Sequence, residues 1–284
     1  MKKIDTLVED IYSTIQGEGN WNAAVTRHFS SRLSMLSCQR FLKPQEPRSY
    51  LSLSSVGTPC KRKLWYKINL VGKGEPLEAY TLLKFFYGDM IEELILCLTA
   101  ASGHKVEGMQ DRLDVHGVKG HRDAVIDGMT VDVKSCSSYA FKKFKEVRLR
   151  DDDPFGYISQ LSSYVYAGQN DPLVTDKVRG AFLAVDKQNG HICLDVYDFT
   201  EELKTKEEEI LETIYMVDGK IPEERIPTVP QSKSSENTKL SMQCSYCEFK
   251  FLCWENLRTF IYSSGPEYLI DVVQEPRVPE VFHD

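Results

Sequence analysis

Hydrophobic residues follow a helical spacing over two long stretches of the chain. Residues 4–15 and residues 80–103 place apolar side chains three or four positions apart, and Gly17 and Gly103 mark their ends. Such spacing gives a helix an apolar face, and glycine just past the last turn is a common helix end. The sequence therefore predicts an amphipathic helix near the N-terminus and a long helix in the first half of the chain.

Strand and helix patterns alternate through the following residues. In chain order they are three short strands from about residue 105 to 135, a helix from 153 to 168, two strands from 178 to 198 and a charged helix from 200 to 217. Asp153 is the expected N-cap of its helix, with Pro154 at the first helical position. This order predicts an α/β fold with a mixed central sheet flanked by helices.

The last two of the three short strands form a predicted hairpin with acids and an amine on one face. Asp127-Gly128 is a strong turn signal, since a type I′ turn needs positive φ at both positions. The turn pairs Asp123 with Asp132, and alternation places both on the same face as Lys134. The opposite face is apolar and holds Ala124, Ile126, Met129, Val131 and Val133.

Two carboxylates opposite each other repel, so something must compensate Asp123 and Asp132. Mg²⁺ would do so, because it binds carboxylate oxygens and keeps waters that leave room for a phosphate and a nucleophile. The long predicted helix offers a third acid, Glu92, with Glu93 as an alternative. Lys134 would orient or deprotonate the attacking water, or stabilise charge developing on the phosphate. A hydrated surface hairpin is the simpler interpretation of this motif taken alone.

Several motifs together resemble the PD-(D/E)XK nuclease superfamily, in particular RecB-like and CRISPR-adaptation-type exonucleases. The segments are HRDAVID…VDVK for the D-x(n)-(D/E)-x-K signature, FFYGDMIEEL for the preceding acidic helix and QLSSYVYA for the downstream Q-x-x-x-Y motif. The resemblance implies a restriction-endonuclease-like core, Mg²⁺ or Mn²⁺ as cofactor and DNA as substrate. The site residues it implies are Glu92, Asp123, Asp132, the Val133 carbonyl, Lys134, Gln160 and Tyr164. Gln160 and Tyr164 share a helix face, suited to contacts with DNA and with the lysine.

Four of the eight cysteines are spaced as metal ligands. Cys244, Cys247 and Cys253 form a C-x2-C-x5-C cluster, and Cys60 lies far upstream. Four thiolates suit either Zn²⁺ or a [4Fe–4S] cluster, and the spacing alone favours zinc. One cysteine before the nuclease motifs and three after them resembles the iron–sulfur cluster of RecB-like nucleases. We therefore expect a [4Fe–4S] cluster that joins N- and C-terminal segments, with Zn²⁺ as the alternative.

The net charge of −7 argues mildly against a protein that coats polyanions regardless of sequence. Basic residues nevertheless alternate with aromatic residues at 60–67 and 139–150. We expect phosphate contacts from Lys61, Arg62, Lys142, Lys143, Lys145 and Arg148. A solvated helix face is the alternative for either segment alone.

The predicted organisation is an N-terminal helical segment at 1–53, a nuclease core at 54–258 and a C-terminal hairpin and tail at 259–284. No apolar run approaches the roughly 18 residues that span a bilayer, and the first residues lack the apolar centre of a signal peptide. We expect a cytoplasmic protein, not bound to membranes, whose cysteines are reduced or metal-bound.

These patterns predict a metal-dependent deoxyribonuclease, an exonuclease on single-stranded DNA or duplex ends, in replication, recombination or repair. Such an enzyme suits a phage genome, with replication or recombination proteins as further candidate partners. One alternative is a non-catalytic DNA-binding module on the same fold, containing iron–sulfur or zinc. A remote alternative rests on YSTIQGEG at 12–19, which resembles the opening of the radical-SAM deazaguanine synthases. Those enzymes need C-x3-C-x2-C soon afterwards, and Cys38 has no such partners.

Overall fold

A computed structural model describes residues 2–42 and 49–282. The chain divides into two units. The first unit comprises the described residues of Met1–Glu46, Tyr50–Thr58 and Glu78–Tyr215. The second comprises those of Pro47–Ser49, Pro59–Leu77 and Met216–Asp284.

Helices and strands alternate along both units. In chain order the helices are α1 (Leu7–Ile15, after a 3₁₀ turn at Ile4–Thr6), α2 (Ala23–Phe41), α3 (Leu53–Val56), α4 (Lys61–Asn69), α5 (Ala79–Ala101), α6 (Ser138–Lys145), α7 (Tyr157–Ala167), α8 (Thr200–Asp218), α9 (Met242–Ser245) and α10 (Lys250–Cys253). The strands are β1 (Val106–Glu107), β2 (Arg112–Val115), β3 (Val118–His121), β4 (Ala124–Ile126), β5 (Met129–Cys136), β6 (Arg179–Asp186), β7 (Ile192–Asp198), β8 (Val229–Pro230), β9 (Thr238–Lys239), β10 (Arg258–Tyr262), β11 (Gly265–Asp271) and β12 (Glu280–Val281).

The first unit is built around a five-stranded sheet of order β1-β4-β5-β6-β7. Neighbouring strands are antiparallel except β5 and β6, which are parallel. Helices α1 and α5 contribute Leu7 and Ile95 to the apolar cluster on one face, beside Val131 of β5. Helices α6 and α7 contribute Phe144 and Leu161 to the cluster on the other face. The predicted mixed central sheet flanked by helices is confirmed.

The predicted hairpin forms with the predicted turn. Asp127 and Gly128 have φ angles of 49° and 86°, as a type I′ turn requires. Strands β4 and β5 pair from the turn back to Ala124 and Val131, and the five predicted apolar residues all belong to the cluster beneath α1 and α5. The ladder stops there, so Asp123 precedes β4 and does not pair with β5 as a strand residue.

His104 joins the tip of this hairpin to α1. Its buried ring places Nδ1 2.6 Å from Asp127 Oδ2 and Nε2 3.0 Å from Asp10 Oδ2. The Lys105 N–H donates to the other oxygen of Asp127 at 2.9 Å. Because these contacts hold the turn residue itself, they help to set the register of β5.

The segment at 105–135 contains five strands rather than the three expected. Strands β2 and β3 form a second hairpin with its own two-stranded sheet. Its two turn residues, His116 and Gly117, have φ angles of 51° and 82°. Histidine is an unusual first residue for such a turn, which explains why the pattern did not indicate one.

Helix α7 begins at Tyr157, three residues later than the Asp153-Pro154 pattern predicts. Gly156 precedes it in the left-handed region, with φ of 75°, and this conformation interrupts any helix from Pro154. The N-cap residue is Gly156 rather than Asp153, although Asp153 Oδ2 still accepts a hydrogen bond from the Ile158 N–H at 2.8 Å. The predicted N-cap and the predicted helix start were therefore both wrong.

The C-terminal end of α6 places a valine in a conformation that favours glycine. Val147 has φ of 54° and an exposed side chain. Its N–H donates to the Phe144 carbonyl, and the Arg148 N–H donates to the Lys143 carbonyl. This is a Schellman motif, in which the residue at Val147 normally is glycine. A β-branched residue is strained there.

Val147→Gly is therefore expected to stabilise the protein by about 1 kcal/mol, because it removes the left-handed penalty of a β-branched residue. Chemical denaturation of both proteins measures the difference. Val178→Gly is the matched control: Val178 is also exposed but has no positive φ, so this change should destabilise. If Val147→Gly and Val178→Gly lost stability equally, the conclusion that Val147 is strained would be contradicted.

The second unit contains α4, α9, α10 and an antiparallel five-stranded sheet of order β12-β10-β11-β9-β8. Its apolar cluster includes Tyr66, Cys247 and Phe249. The hairpin expected near the C-terminus is present as β10–β11. Predicted domain boundaries at 53/54 and 258/259 stay a prediction. Among the described residues, no helix combines the length and apolar character needed to cross a bilayer.

Candidate active site

Asp132 and Lys134 project from β5 on the sheet face that α6 and α7 cover. Their partners in the β5–β6 register are Phe182 and Ala184, which belong to the apolar cluster on that face. Lys134 Nζ lies 2.5 Å from Asp132 Oδ2, with 2% of the aspartate and 18% of the lysine side chain exposed. The two residues thus form an ion pair that is largely withdrawn from water.

Asp123 reaches the same strand through its side chain. The Val133 N–H donates to Asp123 Oδ2 at 2.7 Å, in place of a further ladder bond between β4 and β5. Burial raises the pKa of Asp123 well above its usual value, and the charges of Asp132 and Glu92 raise it further. Lys134 and the Val133 N–H act in the opposite direction. The predicted pair of acids is therefore assembled, by a side-chain bond rather than by strand pairing.

Glu92 and Glu93 differ in their partners. Glu93 is buried and forms an ion pair with Arg32 of α2, whose Nε lies 2.8 Å from Oε1. Glu92 accepts a hydrogen bond from Gln110 Nε2 at 2.6 Å. Burial raises the pKa of Glu92 to about 7, assisted by the charge of Asp132 and opposed by the Gln110 bond. These contacts favour Glu92 as the third acid.

Gln160 and Tyr164 lie on one face of α7, as their spacing predicts. Gln160 Nε2 donates to Asp132 Oδ1 and to the Tyr164 hydroxyl, both at 3.3 Å. Burial, followed by the charge of Asp132, raises the pKa of Tyr164 to about 12. In the structure Gln160 thus contacts the second aspartate, whereas the sequence suggested a contact with Lys134.

Tyr157 is a neighbour of the site that the sequence analysis missed. Its ring centroid lies 4.8 Å from Lys134 Nζ. The residue stands three positions before Gln160 on the same helix, so helical spacing was the available signal. The helix expected at 153–168 already contained Tyr157, but the motif considered there includes only Gln160 and Tyr164.

The donor set suits a hard divalent cation. Carboxylate oxygens are the ligands that Mg²⁺ prefers, and Glu92, Asp123 and Asp132 crowd negative charge that Lys134 balances only in part. Val133, whose carbonyl is a predicted ligand, lies between the two β5 residues. Within residues 2–42 and 49–282, no three His, Cys, Asp or Glu side chains adopt a complete ion-binding geometry. The side-chain chemistry therefore fits the cation, while coordination stays a prediction.

Glu92 is expected to make the ion-free protein less stable as pH rises. Its pKa is about 7 in the folded chain, against 4.5 for an unperturbed glutamate, so the folded state holds the proton more tightly. The associated stability is complete below about pH 4.5 and is lost as pH rises through 7. Thermal unfolding in chelator across this range measures the effect.

Glutamine at position 92 does not titrate, so the variant Glu92→Gln should lose less stability than the wild type as pH rises from about 4.5 through 7. The exposed Glu208→Gln is the matched control and should leave it unchanged. A Glu92→Gln profile that follows the wild-type curve would contradict the raised pKa of Glu92.

The four predicted cysteine ligands all belong to the second unit, and all are free thiols. Cys60 caps α4, since its Sγ accepts a hydrogen bond from the Lys63 N–H at 3.4 Å. Burial raises the pKa of Cys244, and the charges of Cys60 and Cys253 add to it. Burial raises the pKa of Cys247 to about 11, again with contributions from other members of the set. Cys60 thus interacts electrostatically with cysteines far away in the sequence, although no three cysteines of the described residues adopt a complete metal-binding geometry.

The basic residues of and after α6 lie at the surface of the first unit. Lys142, Lys145 and Arg148 are exposed, although Arg148 pairs with a neighbouring glutamate at 3.3 Å. Lys143 is partly buried and forms an ion pair with Asp152 at 2.6 Å. Lys142 and Lys145 therefore have the most accessible ammonium groups of this segment.

The other two predicted phosphate contacts lie in the second unit and differ in exposure. Lys61 is exposed. Arg62 is buried, and its guanidinium donates to the Pro222 carbonyl at 2.6 Å and to the Tyr66 hydroxyl at 2.8 Å. Arg62 is thus engaged inside its unit, where these two hydrogen bonds offset part of the cost of burying its charge.

Neither a protein-family model nor a curated protein matches the sequence. Among solved structures, the chain overlaps the crystal structure of SSO0001 with a TM-score of 0.37 and 13% identity, over 82% of this chain and 96% of the other. It overlaps a phage-related exonuclease from Haemophilus somnus 129PT with a TM-score of 0.43 and 13% identity, over 63% and 97% of the two chains. At these TM-scores neither overlap carries an argument, so the function must be inferred from the site itself.

Proposed function

We propose that the first unit is a metal-dependent deoxyribonuclease with a restriction-endonuclease-like core, acting on single-stranded DNA or duplex ends. The observation that supports it is the Asp132–Lys134 ion pair on β5, with Asp123 bonded to the same strand and Glu92 nearby. Crowding and burying acids is costly, and a merely structural hairpin has no need for it. Titratable groups with raised pKa values cluster at functional sites for this reason.

The acids would hold one or two Mg²⁺ or Mn²⁺ ions through Glu92, Asp123, Asp132 and the Val133 carbonyl. When bound, such an ion supplies Lewis-acid stabilisation and lowers the pKa of a water. Gln160 donates to Asp132 Oδ1 and so restrains the orientation of that carboxylate. Tyr164 supports the amide of Gln160 in turn.

Lys134 acts in this proposal as a cation. Burial lowers the pKa of Lys134, but the charges of Asp132 and Asp123 outweigh burial and raise it above the usual value. The ammonium therefore stays protonated at neutral pH. It is suited to orient the attacking water and to stabilise negative charge developing on the phosphate oxygens, rather than to remove a proton.

For the second unit we propose a [4Fe–4S] cluster on Cys60, Cys244, Cys247 and Cys253, with Zn²⁺ as the alternative. The support is the electrostatic interaction among these free thiols, which adds to burial in raising the pKa values of Cys244 and Cys247. Thiolates that repel one another are stabilised when a metal binds them.

The test is a time course of digestion with end-labelled single-stranded, duplex and closed circular DNA. We expect cleavage of the linear substrates with Mg²⁺ or Mn²⁺ and none with chelator, and resistance of the circle would indicate an exonuclease. Asp132→Asn serves as the inactive control. If wild-type protein binds DNA but cleaves none of the substrates with either metal, the non-catalytic DNA-binding alternative replaces the enzyme.

A further inference from the structure

Lys134 has a second contact besides the aspartate. Its Nζ lies 2.5 Å from Asp132 Oδ2 and 4.8 Å from the ring centroid of Tyr157, the first residue of α7. An ammonium over the face of an aromatic ring is attracted by the ring quadrupole, and the attraction grows when water is excluded. The amine is therefore held between a carboxylate and a ring.

The ring of Tyr157 is held in place by the core. It packs against Phe144 with centroids 6.3 Å apart and planes 25° from parallel, and against Phe182 at 6.4 Å and 54°. Phe144 and Phe182 are 1% and 0% exposed. Because buried aromatic side chains leave little room for movement, Tyr157 presents a rigid surface to the ammonium.

The carboxylate and the ring differ in one respect that matters for the proposed reaction. The Asp132 carboxylate forms the ion pair with Lys134 and is also a proposed ligand of the divalent cation. An aromatic ring face is no ligand for Mg²⁺, which takes oxygen donors. The contact between the Tyr157 ring and the Lys134 ammonium therefore does not compete with binding of the divalent cation.

We propose that Tyr157 is a positioning residue that directs the Lys134 ammonium toward the substrate phosphate through its ring face. The inference rests on the nuclease function proposed above. The hydroxyl of Tyr157 has no part in it, so phenylalanine should replace tyrosine, and a residue of similar bulk without a ring should not.

Kinetics of Tyr157→Leu and Tyr157→Phe test the proposal. We expect Tyr157→Leu to lower kcat by about tenfold or more with KM for DNA changed by less than about twofold, because a misplaced catalytic group slows the reaction without weakening binding. Tyr157→Phe should keep at least about half of kcat, since the ring face is retained. The matched control is Phe155→Leu: Phe155 is exposed, packs on Tyr157 at 5.6 Å and should leave both constants unchanged.

A second measurement follows the contact without any need for activity. In protein with isotope-labelled lysine, the Hε protons of Lys134, identified by their absence in Lys134→Arg, should be shifted upfield by the ring current of Tyr157. Tyr157→Phe should retain this shift and Tyr157→Leu should lose it, while the exposed Lys142 stays unmoved.

The two measurements separate the two proposals. A ring-shifted Lys134 in a protein that cleaves no DNA would refute the nuclease function and with it the purpose assigned to Tyr157, while the contact itself would stand. Cleavage by a protein whose Lys134 signal is unshifted would leave the enzyme intact and overturn the positioning role. Wild-type kcat in Tyr157→Leu, or equal losses in the Leu and Phe variants, would overturn it as well.

Discussion

Lys134→Ala is expected to slow DNA cleavage by about a thousandfold or more while changing DNA affinity by less than about threefold. The Lys134 side chain is only 18% exposed and its ammonium is paired with Asp132, so it contributes little to the surface that first meets DNA. Its charge matters when negative charge develops on the phosphate. Single-turnover cleavage measures the first quantity, and fluorescence anisotropy of labelled DNA in chelator measures the second.

Lys142→Ala is the matched control and should show the opposite pattern. Lys142 is exposed on α6, where its proposed role is phosphate contact. Its removal should weaken binding and reduce the slope of log affinity against log salt by about one, with little effect on cleavage at saturating DNA. Full activity of Lys134→Ala would refute the catalytic assignment.

Loss of Lys134 also leaves Asp132 buried beside two other acids. Breaking a buried ion pair from one side costs about 3–5 kcal/mol, because the remaining charge is uncompensated. Denaturation of Lys134→Ala should therefore show reduced stability, which Asp132→Asn in the same chain should partly restore. Cleavage must accordingly be compared at temperatures where each variant is folded.

If the second unit binds the proposed metal, Cys253→Ser is expected to abolish that binding and to destabilise the unit strongly. A structural metal contributes folding free energy directly, about 10–16 kcal/mol for zinc in small peptides, so losing one of four ligands is a large change. Elemental analysis for iron and zinc, together with visible absorption, measures the metal, and hydrogen exchange compares the two units. Iron with a brown colour supports the cluster, whereas colourless protein with zinc supports the alternative.

Cys193→Ser is the control for that experiment. Cys193 lies on β7 in the first unit, where it packs against the apolar cluster beneath α6 and α7. Its replacement should leave the metal content unaltered. Equal metal content in Cys253→Ser and wild type would remove Cys253 from the proposed ligands. DNA cleavage should fall in Cys253→Ser only as far as misfolding reaches the first unit.

Local pattern was sufficient for much of the first unit. The β4–β5 hairpin was predictable because Asp127-Gly128 specifies the turn, and a turn specifies its register. Helix α5 was predictable from its apolar spacing and Gly103. By contrast, histidine at the first position of the β2–β3 turn is a weak turn signal. The helix start that Pro154 indicated was wrong because Gly156 adopts a left-handed conformation.

The distinction between neighbouring residues needed tertiary structure. Glu92 and Glu93 are adjacent on α5, and only the packing of α2 shows that Arg32 takes Glu93. Arg62 has the same basic and aromatic neighbours in sequence as an exposed phosphate contact, but its unit buries it. Such differences depend on which element covers a side chain, which spacing alone does not encode.

The hydrogen bond from the Val133 N–H gives the Asp123 carboxylate a structural role beside its proposed catalytic role. Oδ2 of Asp123 accepts a bond from β5 beyond the end of the β4–β5 ladder, where a main-chain carbonyl would otherwise serve, and the same carboxylate belongs to the proposed reaction centre. A relative that lost catalysis by replacing this acid with an apolar residue would therefore also lose a hydrogen bond between β5 and the residue before β4. Selection for folding alone would tend to preserve the acid, so its presence in a relative is by itself weak evidence of activity.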